Sequence, residues 1–242
     1  MPVSDAPLAL AEAAAEDGIA LVHQPSFDWA CEQGHFGLLD FAVARRDPAL
    51  RVPVTAAVDT LTKIYAYLKG DSDVLRAARS NRLLSFDLVH EPTGTLIEVD
   101  ESVHFTSFRL GTLDLYPPDV VVDFDLDEYR ALCREWAPKT DRISHGLAAK
   151  GWGFGGIQKE RAYQDALRDL ATHAMGYPPL MRFVALDGDG AAAYQRDRDR
   201  LSKLLRLASA AAPMVAGAQA ARDAPGASTA DPSARAASSR SQ

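Results

Sequence analysis

Three acidic side chains, Asp87, Glu98 and Asp100, lie close together near the middle of the chain. They fall in two predicted strands, residues 83–90 and 95–100, which are separated by a turn that contains Pro and Gly. If the turn is symmetric, the numbers of facing residues sum to 185, so Asp87 faces Glu98 and Asp100 lies on the same side of the hairpin. Crowded carboxylates repel one another, whereas Mg²⁺ or Mn²⁺ binds carboxylate oxygens and retains water molecules that can become nucleophiles. The spacing therefore predicts a divalent-metal site, and the alternative is a solvent-exposed face with hydrated acids.

Further side chains that could act in chemistry follow the hairpin. His104 is close enough to the acids to titrate usefully, or it is a hydrogen-bonded structural histidine at a strand end. Arg168 and Asp169 lie on a predicted amphipathic helix, where they could bind substrate or form a solvated helix face. Trp152 lies in a glycine-rich segment that is predicted to be a mobile loop, where its ring could stack on bases or pack back onto the protein.

The elements around these residues follow from the periodicity of apolar positions. Helical spacing predicts helices over 8–16, 53–68, 72–80, 126–136, 158–174 and 191–208. Short apolar or alternating runs predict strands over 19–22, 37–44, 83–90, 95–100 and 180–186. Along the chain, helices precede the hairpin, and a further helix and strand follow it. This order predicts an α/β domain in which helices cover a sheet.

Two polar residues are predicted to have structural roles. Arg182 lies within an apolar strand, so its charge needs an acidic partner. Asp125 precedes a predicted helix and is a candidate helix cap.

Composition limits the class of protein. The chain has 242 residues, of which 47% are hydrophobic and 24% charged, and these proportions are typical of a soluble globular protein. Apolar runs are too short for a membrane helix and the start of the chain lacks a basic region, so we expect a cytoplasmic protein with no membrane partner. Cys31 and Cys133 have no CxxC spacing and are expected to be reduced, buried thiols.

The charge and composition of the chain also bear on its partners and its organisation. A net charge of −7 argues against broad coating of nucleic acid but permits a small basic channel around an acidic centre. Residues 1–211 are predicted to form a single α/β domain. Residues 212–242 are rich in Ala, Ser, Pro and Arg and are predicted to be a disordered tail.

The acidic hairpin and the elements that follow it resemble the PD-(D/E)XK nuclease superfamily, in particular its compact branch related to very-short-patch-repair endonucleases. The order and the spacing of the matching motifs agree over about residues 54–186. The matches are Phe86-Asp87-Leu88, Ile97-Glu98-Val99-Asp100-Glu101, His104-Phe105, Arg161 to Asp169, Gly176-Tyr177 and Met181-Arg182-Phe183.

This resemblance implies a restriction-endonuclease-like core, with a central mixed sheet flanked by helices and a long insertion at about residues 105–157. Asp87 and Glu98 would be metal ligands, and Asp100 stands where much of the superfamily has a catalytic lysine. Because no lysine follows Glu98, the resemblance leaves Lys159, or alternatively Lys150, to supply that positive charge.

The activity implied is metal-assisted hydrolysis of phosphodiester bonds in DNA. Glu98, Asp100 or His104 would orient or deprotonate the attacking water, and Lys159 or Arg168 would stabilise the charge of the transition state. One alternative is a catalytically inactive PD-(D/E)XK-like binding or regulatory module, which the acidic net charge and the missing lysine favour. Another is a metal-dependent hydrolase of a different phosphate or amide substrate, and the sequence does not indicate a protein partner.

Overall fold

The computed structural model describes residues 5–143 and 146–210. Within these ranges the helices are α1 (Ala6–Glu16), α2 (His35–Arg45), α3 (Pro48–Tyr67), α4 (Ser72–Arg76), α5 (Ser107–Leu113), α6 (Leu126–Ile143), α7 (Gly156–Ala174) and α8 (Gly190–Ala210). The strands are β1 (Val22–His23), β2 (Ser26–Cys31), β3 (Leu83–Ser85), β4 (Leu88–His90), β5 (Thr95–Asp100) and β6 (Met181–Val184). The predicted tail, residues 212–242, lies outside the described residues.

A mixed four-stranded sheet forms the centre of the fold, with the strand order β1-β4-β5-β6. The first three strands are antiparallel neighbours, and β6 runs parallel to β5. Helices flank this sheet, which confirms the predicted α/β class. Leu88 pairs with Ile97 and His90 with Thr95, so the hairpin has the predicted register, in which the numbers of facing residues sum to 185.

The sheet separates two hydrophobic clusters, and β5 is buried along its whole length between them. Ile97 and Val99 belong to the cluster that contains side chains of α1 and α8. Leu96 belongs to the larger cluster, to which α3 and α7 contribute. Because side chains alternate along a strand, Glu98 and Asp100 are on the same side as Leu96, beneath α7.

The predicted strand at 83–90 is two strands of different sheets. β3 ends at Ser85 and pairs with β2, whereas β4 begins at Leu88 and pairs with β5. The chain bends between them, and Phe86 packs against Phe27 and Trp29 in the larger cluster. Phe86 and Leu88 therefore belong to different hydrophobic clusters, whereas in one continuous strand over 83–90 they would lie on the same side.

The predicted strand at 37–44 is also wrong, because these residues lie in α2. Leu38 and Ala42 are buried while Leu39 and Val43 are exposed, which is the four-residue spacing of a helix. A short apolar run does not distinguish a strand from a helix by itself.

Side-chain caps account for several helix starts. The Asp47 carboxylate accepts a hydrogen bond from the Ala49 N–H, so α3 begins five residues before Pro53, which the helix accommodates. Asp71 caps α4, where its carboxylate accepts hydrogen bonds from the N–H groups of Asp73 and Val74. The Asp125 carboxylate accepts hydrogen bonds from two N–H groups at the start of α6, which confirms its predicted role.

Two further predictions concern the thiols and the membrane. Cys31 and Cys133 are buried, unpaired cysteines, as predicted. The described part of the chain contains no helix with the length and apolar character needed to cross a bilayer.

Candidate metal centre

A buried ion-pair network lies on the side of the sheet that faces α7. Arg182 is on β6, in register with Glu98 on the neighbouring β5. Its guanidinium donates to Asp100 Oδ1 at 2.7 Å and to Asp169 Oδ1 at 2.8 Å, and all three side chains are fully buried. The expectation that Arg182 has an acidic partner is confirmed. Burial alone would raise the pKa of Asp169, but the two nearby arginines, Arg182 and Arg109, outweigh it and lower that pKa.

The segment predicted to be an insertion, about residues 105–157, completes this network. Arg109 on α5 donates to Asp169 Oδ2 at 2.5 Å, and the Tyr116 hydroxyl donates to the same oxygen at 2.6 Å. The Tyr129 hydroxyl on α6 donates to Asp100 Oδ2 at 2.8 Å. The segment is thus part of the buried site.

Three potential metal ligands converge at the edge of the network. Asp100, His104 and Asp165 each offer a ligand atom, and these atoms lie within 4.8 Å of one another, an arrangement that could hold a metal ion. The His104 Nδ1 atom is 3.3 Å from Asp100 Oδ1 and 3.2 Å from Asp165 Oδ2. We call Asp100, His104 and Asp165 the ligand triad. The described residues contain no other group of three that meets this distance criterion.

The ligand triad is electrostatically coupled. Burial works to lower the pKa of His104, but the carboxylates of Asp165 and Asp100 outweigh it, and the pKa is raised. Burial works to raise the pKa of Asp165, but His104 and Arg182 outweigh it, and the pKa is lowered. The His104 side chain is 22% exposed while Asp100 and Asp165 are buried, so the histidine forms the open side of the triad.

Asp87 and Glu98 form a second acidic pair on the same side of the sheet. The Asp87 N–H donates to Glu98 Oε1 at 3.4 Å, and Asp87 Oδ2 accepts from the Val99 N–H at 2.8 Å. Arg168 Nε lies 3.4 Å from Glu98 Oε1. Burial raises the pKa of Glu98 to about 8 despite the nearby Arg168, and burial also raises the pKa of Asp87.

The predicted ligand set of Asp87, Glu98 and Asp100 is therefore divided between two neighbouring groups. Asp100 joins His104 and Asp165, whereas Asp87 and Glu98 contact each other. In the described structure, the carboxylate oxygens of Asp87, Glu98 and Asp100 do not form a group within 4.8 Å of one another, as the atoms of the ligand triad do. Metal binding by Asp87 and Glu98 stays a prediction.

The other predicted site residues occupy different positions. Lys159 lies at the start of α7, where its Nζ atom is 3.4 Å from the Trp152 carbonyl oxygen and 5.6 Å from the centre of the Phe108 ring. It precedes Asp165 by six residues, which corresponds to about 9 Å along a helix axis. The structure thus places Lys159 beside the glycine-rich segment, and none of its observed contacts is to a site acid.

Of the two alternatives predicted for Trp152, the structure shows the one in which it packs back onto the protein, and the residue is only 6% exposed. It packs against Tyr65 and Tyr163, with ring centres 4.7 Å and 5.4 Å away. Asp169 is also buried, so it is not part of a solvated helix face. Arg168, by contrast, is partly exposed and contacts Glu98 and the Ser85 carbonyl.

Sequence reasoning assigned no role to Asp165, Arg109, Tyr116 or Tyr129. A signal existed for Asp165, because it and Asp169 are one helical turn apart on a helix most of whose other inward positions are apolar. Two acids on a buried stripe require partners. The other three lie in a segment with no matching motif, and their contacts join residues that are 29 to 60 positions apart in the chain.

Comparison with known protein families gives a match over part of the chain. The profile of a family of unknown function (DUF7255) matches residues 63–155. This range includes the β4–β5 hairpin, α5 and α6, and therefore Asp100 and His104, but it ends before Asp165 on α7. Searches of the curated proteins and of the solved structures return no match.

Proposed function

We propose that this protein is a metal-dependent hydrolase of phosphodiester bonds in DNA, of the endonuclease type. The observation that carries the proposal is the convergence of Asp100, His104 and Asp165 on one potential ion site, beside the Asp87–Glu98 pair. The proposal also rests on the resemblance to the PD-(D/E)XK superfamily. The hairpin, the long helix α7 and the parallel strand β6 follow one another in the order of the matching motifs.

The donor set fits a hard or borderline divalent cation, because it combines two carboxylates with one imidazole. We propose Mn²⁺ or Mg²⁺, with Asp100, His104 and Asp165 as the ligands. Such an ion, when bound, polarises a phosphate oxygen and lowers the pKa of a coordinated water.

The neighbouring residues would bind the substrate and move protons. With its raised pKa, the Glu98 carboxyl can exchange a proton with water near neutral pH, which suits a general acid or base. Arg168 is the cation next to Glu98, and its planar guanidinium suits a phosphate. Lys159 does not contact this group, so we assign the role of the missing lysine to Arg168.

One observation favours the alternative, a catalytically inactive binding or regulatory module. Arg109, Arg182 and protonated His104 balance the charges of Asp100, Asp165 and Asp169, so the buried network is paired without a metal ion. A network of this kind can serve structure alone.

Plasmid nicking by the full-length protein in Mn²⁺ or Mg²⁺ separates the two functions. We expect nicking that EDTA abolishes, and we expect the His104→Asn variant to bind Mn²⁺ at least about tenfold more weakly by calorimetry, because an ion loses one ligand. His173→Asn is the matched control, since His173 is exposed on α7. Nicking and Mn²⁺ affinity that are unchanged in His104→Asn would refute the ligand triad. Absence of both nicking and Mn²⁺ binding in the wild-type protein would favour the inactive module.

A further inference from the structure

A second feature of the molecule is a cavity of about 490 Å³ beside the candidate metal centre. Side chains of α7, β3 and the glycine-rich segment line it, together with the chain that follows α4. Its volume falls within the usual range of small-molecule sites, about 300–1,000 Å³. The proposed hydrolysis does not use this cavity.

The cavity lies next to the Glu98–Arg168 contact. Gln164 lines its wall, and Arg168 follows on the same face of α7 one helical turn later. On the opposite wall, Leu84 lines the cavity, and the carbonyl of the next residue, Ser85, accepts a hydrogen bond from Arg168. A ligand that contacts Gln164 would therefore lie about one helical turn along α7 from Arg168, the arginine that contacts Glu98.

The interior of the cavity is aromatic with a polar wall. Tyr65, Trp152 and Tyr163 form a cluster of packed rings at its inner end. Gln164 is half-buried on the wall, and its side-chain amide makes no hydrogen bond to any residue in the described ranges, so the amide can donate to and accept from a ligand. An apolar aromatic floor with a donor and an acceptor above it suits a flat heterocycle such as a nucleobase.

The ionisable side chains of the lining include three cations and two carboxylates, a formal charge of +1. Arg79, Arg82 and Lys150 line the cavity and are exposed, and Glu32 and Glu160 also line it. Arg82 is paired with Glu32 at 3.2 Å, whereas Arg79 and Lys150 have no ion pair with the residues that the structure describes. Arg79 and Lys150, against the single carboxylate of Glu160, leave a local excess of positive charge that suits a phosphate group. This local excess matters because the chain as a whole has a net charge of −7.

We propose that this cavity binds one nucleotide, with the base on the aromatic floor beside Gln164 and the phosphate between Arg79 and Lys150. The inference deepens the proposed function, since a nucleotide held here would belong to the strand whose next phosphate lies near Arg168 and Glu98. The same chemistry would also accept a free mononucleotide.

Binding is best measured in EDTA, so that it does not depend on metal or on cleavage. The probes are a fluorescently labelled short single-stranded oligonucleotide, followed by anisotropy, and unlabelled deoxynucleoside monophosphates as competitors. We expect the wild-type protein to bind the oligonucleotide and Arg79→Glu/Lys150→Glu to bind it at least about tenfold more weakly, because each reversal replaces an attraction with a repulsion. Both residues are exposed, so the fold should be retained, and a thermal unfolding curve checks this.

The matched control is Lys203→Glu/Arg206→Glu, which changes the net charge equally at exposed positions on α8. Its affinity should stay within about twofold of that of the wild type, since electrostatic attraction over longer distances is screened. If the monophosphates compete as effectively as the unlabelled oligonucleotide, the ligand is a free nucleotide. If they compete more weakly, the ligand is a nucleotide within a strand. Equal losses in the two double variants, or no binding by any probe, would overturn the inference.

A second variant examines the interior. Gln164→Leu keeps the size of the side chain but removes the amide, so we expect it to bind dA, dC and dT oligomers with equal affinity where the wild type prefers one of them. If Gln164→Leu keeps the same preference among the dA, dC and dT oligomers as the wild type, the base does not lie beside Gln164. If binding behaves as expected while no metal supports nicking, the cavity assignment stands and the proposed hydrolase function fails.

Discussion

At the scale of single residues, two neighbouring acids of β5 have different surroundings. Asp100 makes an ion pair with Arg182 at 2.7 Å and accepts a hydrogen bond from Tyr129. The arginine nearest to Glu98 is 3.4 Å away, and the Asp87 carboxyl opposes its ionisation. Glu98 is only 4% exposed, so desolvation dominates and raises its pKa to about 8.

This raised pKa predicts a pH-dependent stability. The proton that folded Glu98 retains contributes stability that is fully present below the ordinary pKa of 4.5 and is lost as the pH rises through about 8. Glu98→Gln lacks this titration, so we expect its melting temperature, relative to that of the wild type, to be higher at about pH 9 than at about pH 5. We expect the effect of Glu98→Gln on the free energy of unfolding to differ by about 1 kcal/mol or more between the two pH values. In a protein of this size, that difference corresponds to at least about 2–4 °C in melting temperature.

Thermal unfolding in EDTA measures this effect. Glu12→Gln is the control, because Glu12 is exposed on α1. A wild-type protein and a Glu98→Gln variant whose melting temperatures change in parallel with pH would show that Glu98 is not protonated in the folded state.

At the scale of elements, the site is built from four segments distant in the chain. β5 and β6 supply Asp100 and Arg182, α7 supplies Asp165 and Asp169, and the α5–α6 segment supplies Arg109 with two tyrosines. The helix α7 brings its two acids over the sheet because they are one turn apart on the face that packs inward. The α5–α6 segment is therefore expected to support the site.

The Tyr129→Phe variant measures that support. The change removes the hydrogen bond from α6 to the buried Asp100 carboxylate, and a bond to a charged group contributes about 1.5–3 kcal/mol. We expect a corresponding loss in the free energy of unfolding by denaturant titration. Tyr67→Phe, at a side chain that is 50% exposed on α3, should change stability by less than about 0.5 kcal/mol. Equal effects of the two substitutions would contradict a supporting role for α6.

At the scale of the whole molecule, the acidic net charge restricts how nucleic acid can bind. A charge of −7 disfavours contacts spread over the surface, so affinity must come from a few local cations. Arg79 and Lys150 at the mouth of the cavity and Arg168 beside Glu98 are the cations in suitable positions.

The salt dependence of oligonucleotide binding gives the number of contacts between the protein and the phosphates of the strand. Each phosphate contact with a single strand contributes about −0.7 to the slope of log affinity against log salt concentration, so two or three contacts give about −1.4 to −2. Anisotropy titrations in EDTA over a range of NaCl concentrations measure this slope, which Arg79→Glu/Lys150→Glu should bring close to zero or to about −0.7. A slope steeper than about −4 would indicate the broad electrostatic binding that the net charge argues against.

The sequence by itself determined the class of fold and the central hairpin. Periodicity located α7, α6, α8 and β6, because apolar spacing and capping residues such as Asp125 act over a few neighbouring positions. The turn and the alternation of the two strands predicted the register in which Leu88 pairs with Ile97 and His90 with Thr95. Local signals did not distinguish α2 from a strand, because a short apolar run fits both.

Tertiary structure alone decided which acids meet. Asp100 and Asp165 are 65 positions apart in the chain, and they approach each other only because α7 crosses the sheet above β5. The partners of Asp169 in α5 and the stretch that follows it, Arg109 and Tyr116, likewise follow from packing between elements. The predicted cluster of three carboxylates is divided because the buried charge of Asp100 meets Arg182 on β6, whereas Glu98 keeps a raised pKa beside Asp87. Spacing along the chain does not encode those contacts.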